Sequence, residues 1–85
     1  MRAIAFHKEA FEQYSIWAKT DRKIFERLHR LIIETAGEPF VGIGKPEPLK
    51  ADLRGYWSRR ISHEHRLVYK VTDEMIIIAS CKYHY

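Results

Sequence analysis

The sequence predicts an α+β fold: a small, largely antiparallel β-sheet with two N-terminal helices packed on one face, in the order β-α-α-β-β-β. Three observations carry this. Apolar residues recur at helical spacing over residues 8–37, the last third alternates with the period of strands, and a punctuated segment with every proline and glycine of the chain separates the two regions.

Residues 3–6 are short and apolar and read as a first strand. Residues 8–19 read as a helix: Phe11, Tyr14 and Trp17 recur at spacings of three, and Ala10 and Ala18 extend the stripe. Thr20-Asp21 breaks the pattern and supplies an N-cap for a second helix. The apolar face of that helix holds Ile24, Phe25, Leu28, Leu31, Ile32 and Ile33, while Lys23, Arg27 and Arg30 occupy much of the rest. Gly37 is its natural C-cap, and Pro39 stops continuation. Residues 37–55 hold Pro39, Pro46 and Pro48 with Gly37, Gly42, Gly44 and Gly55, and no regular element fits them. A loop of that length in a compact domain is a place to look for function.

Residues 56–62, 66–71 and 75–83 read as three strands, with turns at His63-Glu64 and Thr72-Asp73-Glu74. Leu67, Tyr69 and Val71 share one face of the middle strand; Arg66, Val68 and Lys70 share the other. Trp57 and Ile61 likewise oppose Ser58 and Arg60. Placing both apolar sets under the helices requires an odd-numbered loop between the strands. Arg60, Arg66 and Lys70 then share the open face, and Arg59 points to the covered face, at an edge. In the third strand His84 has the parity of Ile76, Ile78 and Lys82, and Tyr85 falls opposite.

The 85 residues suffice for one domain, and 46% apolar with 13% aromatic residues is a globular composition. Fifteen Lys and Arg against eleven Asp and Glu leave a net charge of +4, which favours a polyanion such as nucleic acid. Cys81 is the single cysteine, so no internal disulfide forms, in keeping with a reducing cytoplasm. No signal peptide is evident, and the longest apolar run, residues 75–79, is too short for a membrane helix.

Guanidinium groups near a histidine suit phosphodiester chemistry: Arg offers a fixed fork of donors to phosphate oxygens, and His exchanges protons near neutral pH. Glu47, between two prolines in GKPEPLK, sits on a stiff stretch, and a neighbouring lysine would keep it ionised. A terminal Tyr can stack on a base. Each residue also has a plainer reading: solvated strand arginines, a surface acid, a chain-end histidine. His7, His29, His63 and His65 read as surface or turn residues, and Trp17 and Trp57 as core. The histidines and Cys81 show no paired spacing of the zinc type, and Gly42-Ile43-Gly44 is too short for a phosphate cradle, so neither metal nor cofactor is expected.

The runs PFVGIGKPEPLK, GYWSRRISHEHRLVYKVTDE and CKYHY closely resemble the YoeB family of toxins in the RelE superfamily, and the resemblance covers nearly the whole chain. It implies a type II toxin–antitoxin toxin, a metal-independent endoribonuclease that cuts mRNA in the ribosomal A site. It also implies a YefM-like antitoxin as partner, a homodimer and a cytoplasmic location. By motif, Glu47 stands at the family's loop acid, Arg66 at its arginine in EHRLVY, and His84 and Tyr85 at its closing pair. Lys50 and Arg60 occupy positions associated with RNA contact, with Lys45 and Arg59 expected beside them. Two other functions fit the same fold: poisoning of DNA gyrase, and binding of nucleic acid without catalysis.

Overall fold

The computed structural model describes residues 1–83. Strand β1 (Ala3–Phe6) leads into helices α1 (Lys8–Thr20) and α2 (Arg22–Gly37). A loop then carries a two-residue strand, β2 (Glu47–Pro48), and a 3-10 turn (Ala51–Leu53) before β3 (Tyr56–Arg60), β4 (Arg66–Val71) and β5 (Met75–Ser80). The sheet runs β1-β5-β4-β3-β2, antiparallel except for the parallel pairing of β1 with β5. The loop read as wholly irregular therefore contributes an edge strand. Pro48 is tolerated there because an edge position asks for no second ladder bond.

The helices form where their apolar stripes predict. Ala10 and Trp17 are buried on α1, while Phe11 lies at the margin of that stripe, 55% exposed and edge-on to Phe6. On α2, Leu28, Leu31, Ile32 and Ala36 are buried, and Ile33, expected among them, is exposed. Asp21 caps α2 by accepting the Ile24 N–H at 3.1 Å. Gly37 does not act as the C-cap; it is the last helical residue, and Glu38 closes the helix by donating its N–H to the Glu34 carbonyl at 2.8 Å. The core joins these helices to Ile61, Leu67, Tyr69, Ile76, Ile78 and Cys81.

The β3–β4 hairpin has the odd-numbered loop. Arg60 pairs with Arg66, Ser58 with Val68 and Trp57 with Tyr69, so the apolar sets meet under the helices. Two expectations about β5 fail. The strand ends at Ser80 instead of running to residue 83, and its register shifts at Val68/Tyr69. Tyr69 pairs with Ile78 and Val68 with Ser80, which leaves Ala79 as an extra residue. Side-chain alternation inverts beyond it. Cys81, which regular alternation would send to the open face, is fully buried under α1, with Sγ 3.4 Å from the Ala10 carbonyl.

Burial pushes the Cys81 thiol up to about 12. Thiolate at pH 8 is then on the order of one part in 10⁴. A thiol reagent at pH 8 should leave the native protein unlabelled and label one site after denaturation, as read by intact mass. Rapid labelling of native protein would contradict this placement.

Candidate active site on the open face of the sheet

Directly paired residues of an antiparallel ladder point to the same face. The pairings Glu47–Ser58, Ser58–Val68 and Val68–Ser80 therefore lay one row across the face away from the helices. Ser58, Val68 and Leu49 are nearly closed to solvent, and Glu47 is exposed at the end of the row. Arg60 and Arg66 form the next pair on the same face, two residues along each strand. Two strand spacings and two residue rises put the Glu47 and Arg66 Cα atoms on the order of 12 Å apart, on one face of the sheet. A depression of about 360 Å³ lies along Glu47, Pro48, Leu49 and Lys50. A larger one, about 560 Å³, opens at Arg2, Ala36, Gly37, Asp73 and Glu74, remote from these groups.

Glu47 is held by backbone geometry. Lys45 and Ala51 on either side have φ of 51° and 55°, a left-handed conformation costing a non-glycine residue about 1–2 kcal/mol each. Pro46 and Pro48 remove further freedom. The expected pairing with a lysine is not made: among the described residues the ion pairs are Lys8–Glu12 and Arg22–Glu26, both on exposed helix surface. Lys45, Lys50 and Arg60 are all exposed around the acid, available to an anionic ligand.

Arg59 requires correction. It was expected beside the RNA contacts, at an edge of the covered face. It does point to that face, but it is completely buried, because residues 38–44 wrap over the edge and close it in. Its Nη2 donates to the carbonyls of Glu38 and of Val41 (3.0 Å), its Nη1 to that of Ile43 (3.1 Å), and its Nε to the Tyr69 hydroxyl (3.3 Å). The Tyr69 hydroxyl in turn donates to the Pro39 carbonyl at 2.7 Å. Burial pushes this phenol up, with Arg59 opposing, so it stays a donor. Gly44 admits the loop: its φ is +80°, and an added Cβ would lie 2.9 Å from Leu31 Cδ2 and 3.1 Å from the Arg60 carbonyl oxygen. Arg59 thus offers nothing to an outside ligand and instead fastens the segment leading to Glu47.

Arg66 is half-buried. Its Nη1 donates to the carbonyls of Ser62 (2.8 Å), His65 (3.1 Å) and His63 (3.3 Å), fixing the guanidinium on the β3–β4 loop. Among the described residues, its Nη2 and Nε remain for a ligand. Its own N–H donates to the Tyr83 carbonyl at 3.1 Å, so the chain beyond β5 is tied down beside it. His84 and Tyr85 lie outside the described residues.

Sequence reasoning missed His65. It was taken as a surface or turn residue but is only 9% exposed, edge-on to Trp17 at 4.7 Å. Its parity with Leu67 and Tyr69, which face the helices, was the signal that would have found it.

Fold and face define the class: a small basic α+β domain whose open sheet surface gathers a carboxylate and several guanidinium and ammonium groups. The family described as the YoeB-like toxin of bacterial type II toxin–antitoxin systems matches residues 6–85. Toxin YoeB of Streptomyces coelicolor is 55% identical over 96% of this chain and 98% of its own length. The YoeB dimer of Staphylococcus aureus superposes with a TM-score of 0.90 at 49% identity, covering 99% of this chain and 98% of that one. The toxin in the heterotetrameric YoeB–YefM complex of the same organism gives 0.90 at 49% identity, covering 100% and 99%. The chain belongs to the YoeB-like family of type II toxins.

Replacing Arg59 by Met should destabilise the protein by at least about 3 kcal/mol, since each buried acceptor left without a donor costs about 1–3 kcal/mol. Equilibrium urea denaturation checks this. A loss under 1 kcal/mol would mean that the loop holds without the guanidinium.

Proposed function

We propose that this toxin is a metal-independent endoribonuclease that cuts mRNA in the ribosomal A site and so arrests translation and growth. The observation that carries the reading is the shared open face: Glu47 and Arg66 flank one gap, with the chain leading to His84 tied to Arg66.

In the reaction, Glu47 takes the proton from a ribose 2′-OH. The 2′-oxygen attacks the adjacent phosphorus, a new P–O2′ bond forms, and the P–O5′ bond breaks. Arg66 stabilises the charge that grows on the non-bridging oxygens. His84 gives a proton to the departing 5′-oxygen. The products are a 2′,3′-cyclic phosphate and a 5′-hydroxyl end. Tyr85 orients or stacks on a base. Lys45, Lys50 and Arg60 bind neighbouring phosphates, a role Arg59 does not share. The RNA brings its own nucleophile, so the scheme requires neither a metal-activated water nor a covalent enzyme intermediate. The ribosome contributes by holding the mRNA in reacting geometry.

The protein acts in the cytoplasm, where translating ribosomes are, and works as a homodimer. A YefM-like antitoxin neutralises it: a segment that folds on binding, carrying acidic groups, would complement this cationic face. The dimer and the YoeB–YefM assembly of the S. aureus relatives support both.

Single-turnover cleavage of mRNA on programmed ribosomes tests the acid and base. Glu47→Gln and His84→Ala should each lower the rate about 10²–10⁴-fold, with circular dichroism unchanged. Wild-type rates from Glu47→Gln would remove the acid from the mechanism. Growth arrest by a cleavage-dead His84→Ala protein would favour a purely binding toxin, and DNA damage without mRNA cuts would point to gyrase.

A further inference from the structure

Beyond Ser80 the chain leaves the β4–β5 ladder, so its backbone N–H and C=O groups need new partners. Four are supplied from outside β5, the first by Gln13, whose Oε1 accepts the Cys81 N–H at 2.7 Å. The Trp17 indole Nε1–H donates to the Cys81 carbonyl at 2.9 Å. The Arg66 N–H donates to the Tyr83 carbonyl at 3.1 Å, and the Tyr83 N–H donates to Nδ1 of His65 at 2.7 Å. A side-chain imidazole thus takes the place that a strand carbonyl would have filled. Tyr83 has φ +64°, a conformation that a non-glycine residue holds only against a cost of about 1–2 kcal/mol, so the anchors on both its sides matter.

The same residue reaches the arginine. The His65 carbonyl accepts the N–H groups of Ile61 (3.0 Å) and Ser62 (3.2 Å) and Nη1 of Arg66 (3.1 Å). Its ring is wedged between Trp17 at 4.7 Å and Tyr83 at 5.6 Å between centroids. His65 is therefore joined through its backbone to the guanidinium of Arg66 and through its ring to the segment that continues into His84.

We propose that His65 is a positioning residue: its unprotonated Nδ1, by accepting the Tyr83 N–H, sets where the tail that carries the acid His84 meets the phosphate held by Arg66. The ring is the Nε2–H tautomer, since a protonated Nδ1 has no lone pair for the Tyr83 amide. His65 touches neither RNA nor the reacting atoms; it acts through Tyr83 and Arg66. The inference rests on the ribonuclease reading above and adds a residue which that mechanism does not use.

Two variants separate this role from simple packing. His65→Asn keeps an acceptor, Oδ1, at the same position along the side chain as Nδ1. His65→Leu keeps apolar bulk against Trp17 and loses the acceptor. In single-turnover cleavage at saturating ribosomes, His65→Leu should be about 10- to 100-fold slower, the cost of misplacing a reacting group by about 1 Å, with half-saturation unchanged. His65→Asn should recover most of that loss. Amide exchange at Tyr83 should quicken about tenfold in His65→Leu and stay near wild type in His65→Asn. Should either variant fail to fold, nitrogen NMR of the wild-type imidazole decides the anchor: Nε2 protonated and Nδ1 accepting supports it, a protonated Nδ1 overturns it. Equal impairment of both variants would reduce His65 to packing. Faster Tyr83 exchange with an unchanged cleavage rate would overturn the positioning role alone. A wild-type protein that cuts no mRNA would instead overturn the ribonuclease reading and with it the catalytic half of this inference, while the spectrum still judges the anchor.

Discussion

A guanidinium buried without an ion-pair partner is costly unless each of its nitrogens finds an acceptor. Arg59 meets that condition with carbonyls from three positions of one loop and the hydroxyl of Tyr69. In residues 38–44, Phe40 and Val41 are both exposed, and Ile43 packs against the core. The loop is held by directed bonds to a core arginine, and it is the loop that delivers Glu47 to the sheet. The acid's position thus depends on an interaction on the opposite face from the one where it would act. The tight seat of Gly44 against Leu31 and the Arg60 carbonyl belongs to the same constraint.

The two faces of the sheet divide the work. The helix side holds the apolar core and the buried Arg59. The open side displays the exposed charges, above a floor of Ser58, Val68 and Leu49. A net charge of +4 and a sequence pI near 9.4 give the whole molecule a field that draws in polyanions, and the open face is where the sheet leaves such charges uncovered. Arg66 shows how a strand cation becomes a rigid donor: three loop carbonyls fix one nitrogen and so orient the rest of the planar group.

Much of this was legible in the sequence, because the informative signals are local. Helical spacing marked both helices, Asp21 announced its cap, and parity on either side of an odd loop set the hairpin register that pairs Arg60 with Arg66. What escaped depends on contacts distant along the chain. The single-residue bulge at Ala79 inverts every parity argument downstream, and nothing in MIIIASCKYHY marks it. Arg59 pointed to the covered face as its parity required, but full burial came from a loop whose path no periodicity describes. β2 exists because an edge was open beside β3, not because Glu47-Pro48 favours strand. The residues of the candidate site came mainly from resemblance to a family. Periodicity alone singled out only the face on which they fall.

The two sides of the candidate site are secured by different physics. Glu47 is fixed by covalent stiffness, with a proline on each side and left-handed residues at Lys45 and Ala51 that the neighbouring ladder must hold in place. The approach to the tail is fixed mostly by side chains reaching out to backbone, an indole, an imidazole and the Gln13 amide, together with the backbone N–H of Arg66. Bonds of that kind exist because β5 stops pairing at Ser80, and β5 stops pairing where the bulge has already turned the chain toward α1. An insertion of one residue into a strand therefore does two things at once. It buries Cys81 against Ala10 as a plug under the helix, and it frees the following residues to cross to the β3–β4 loop, where Arg66 is waiting with its remaining donors.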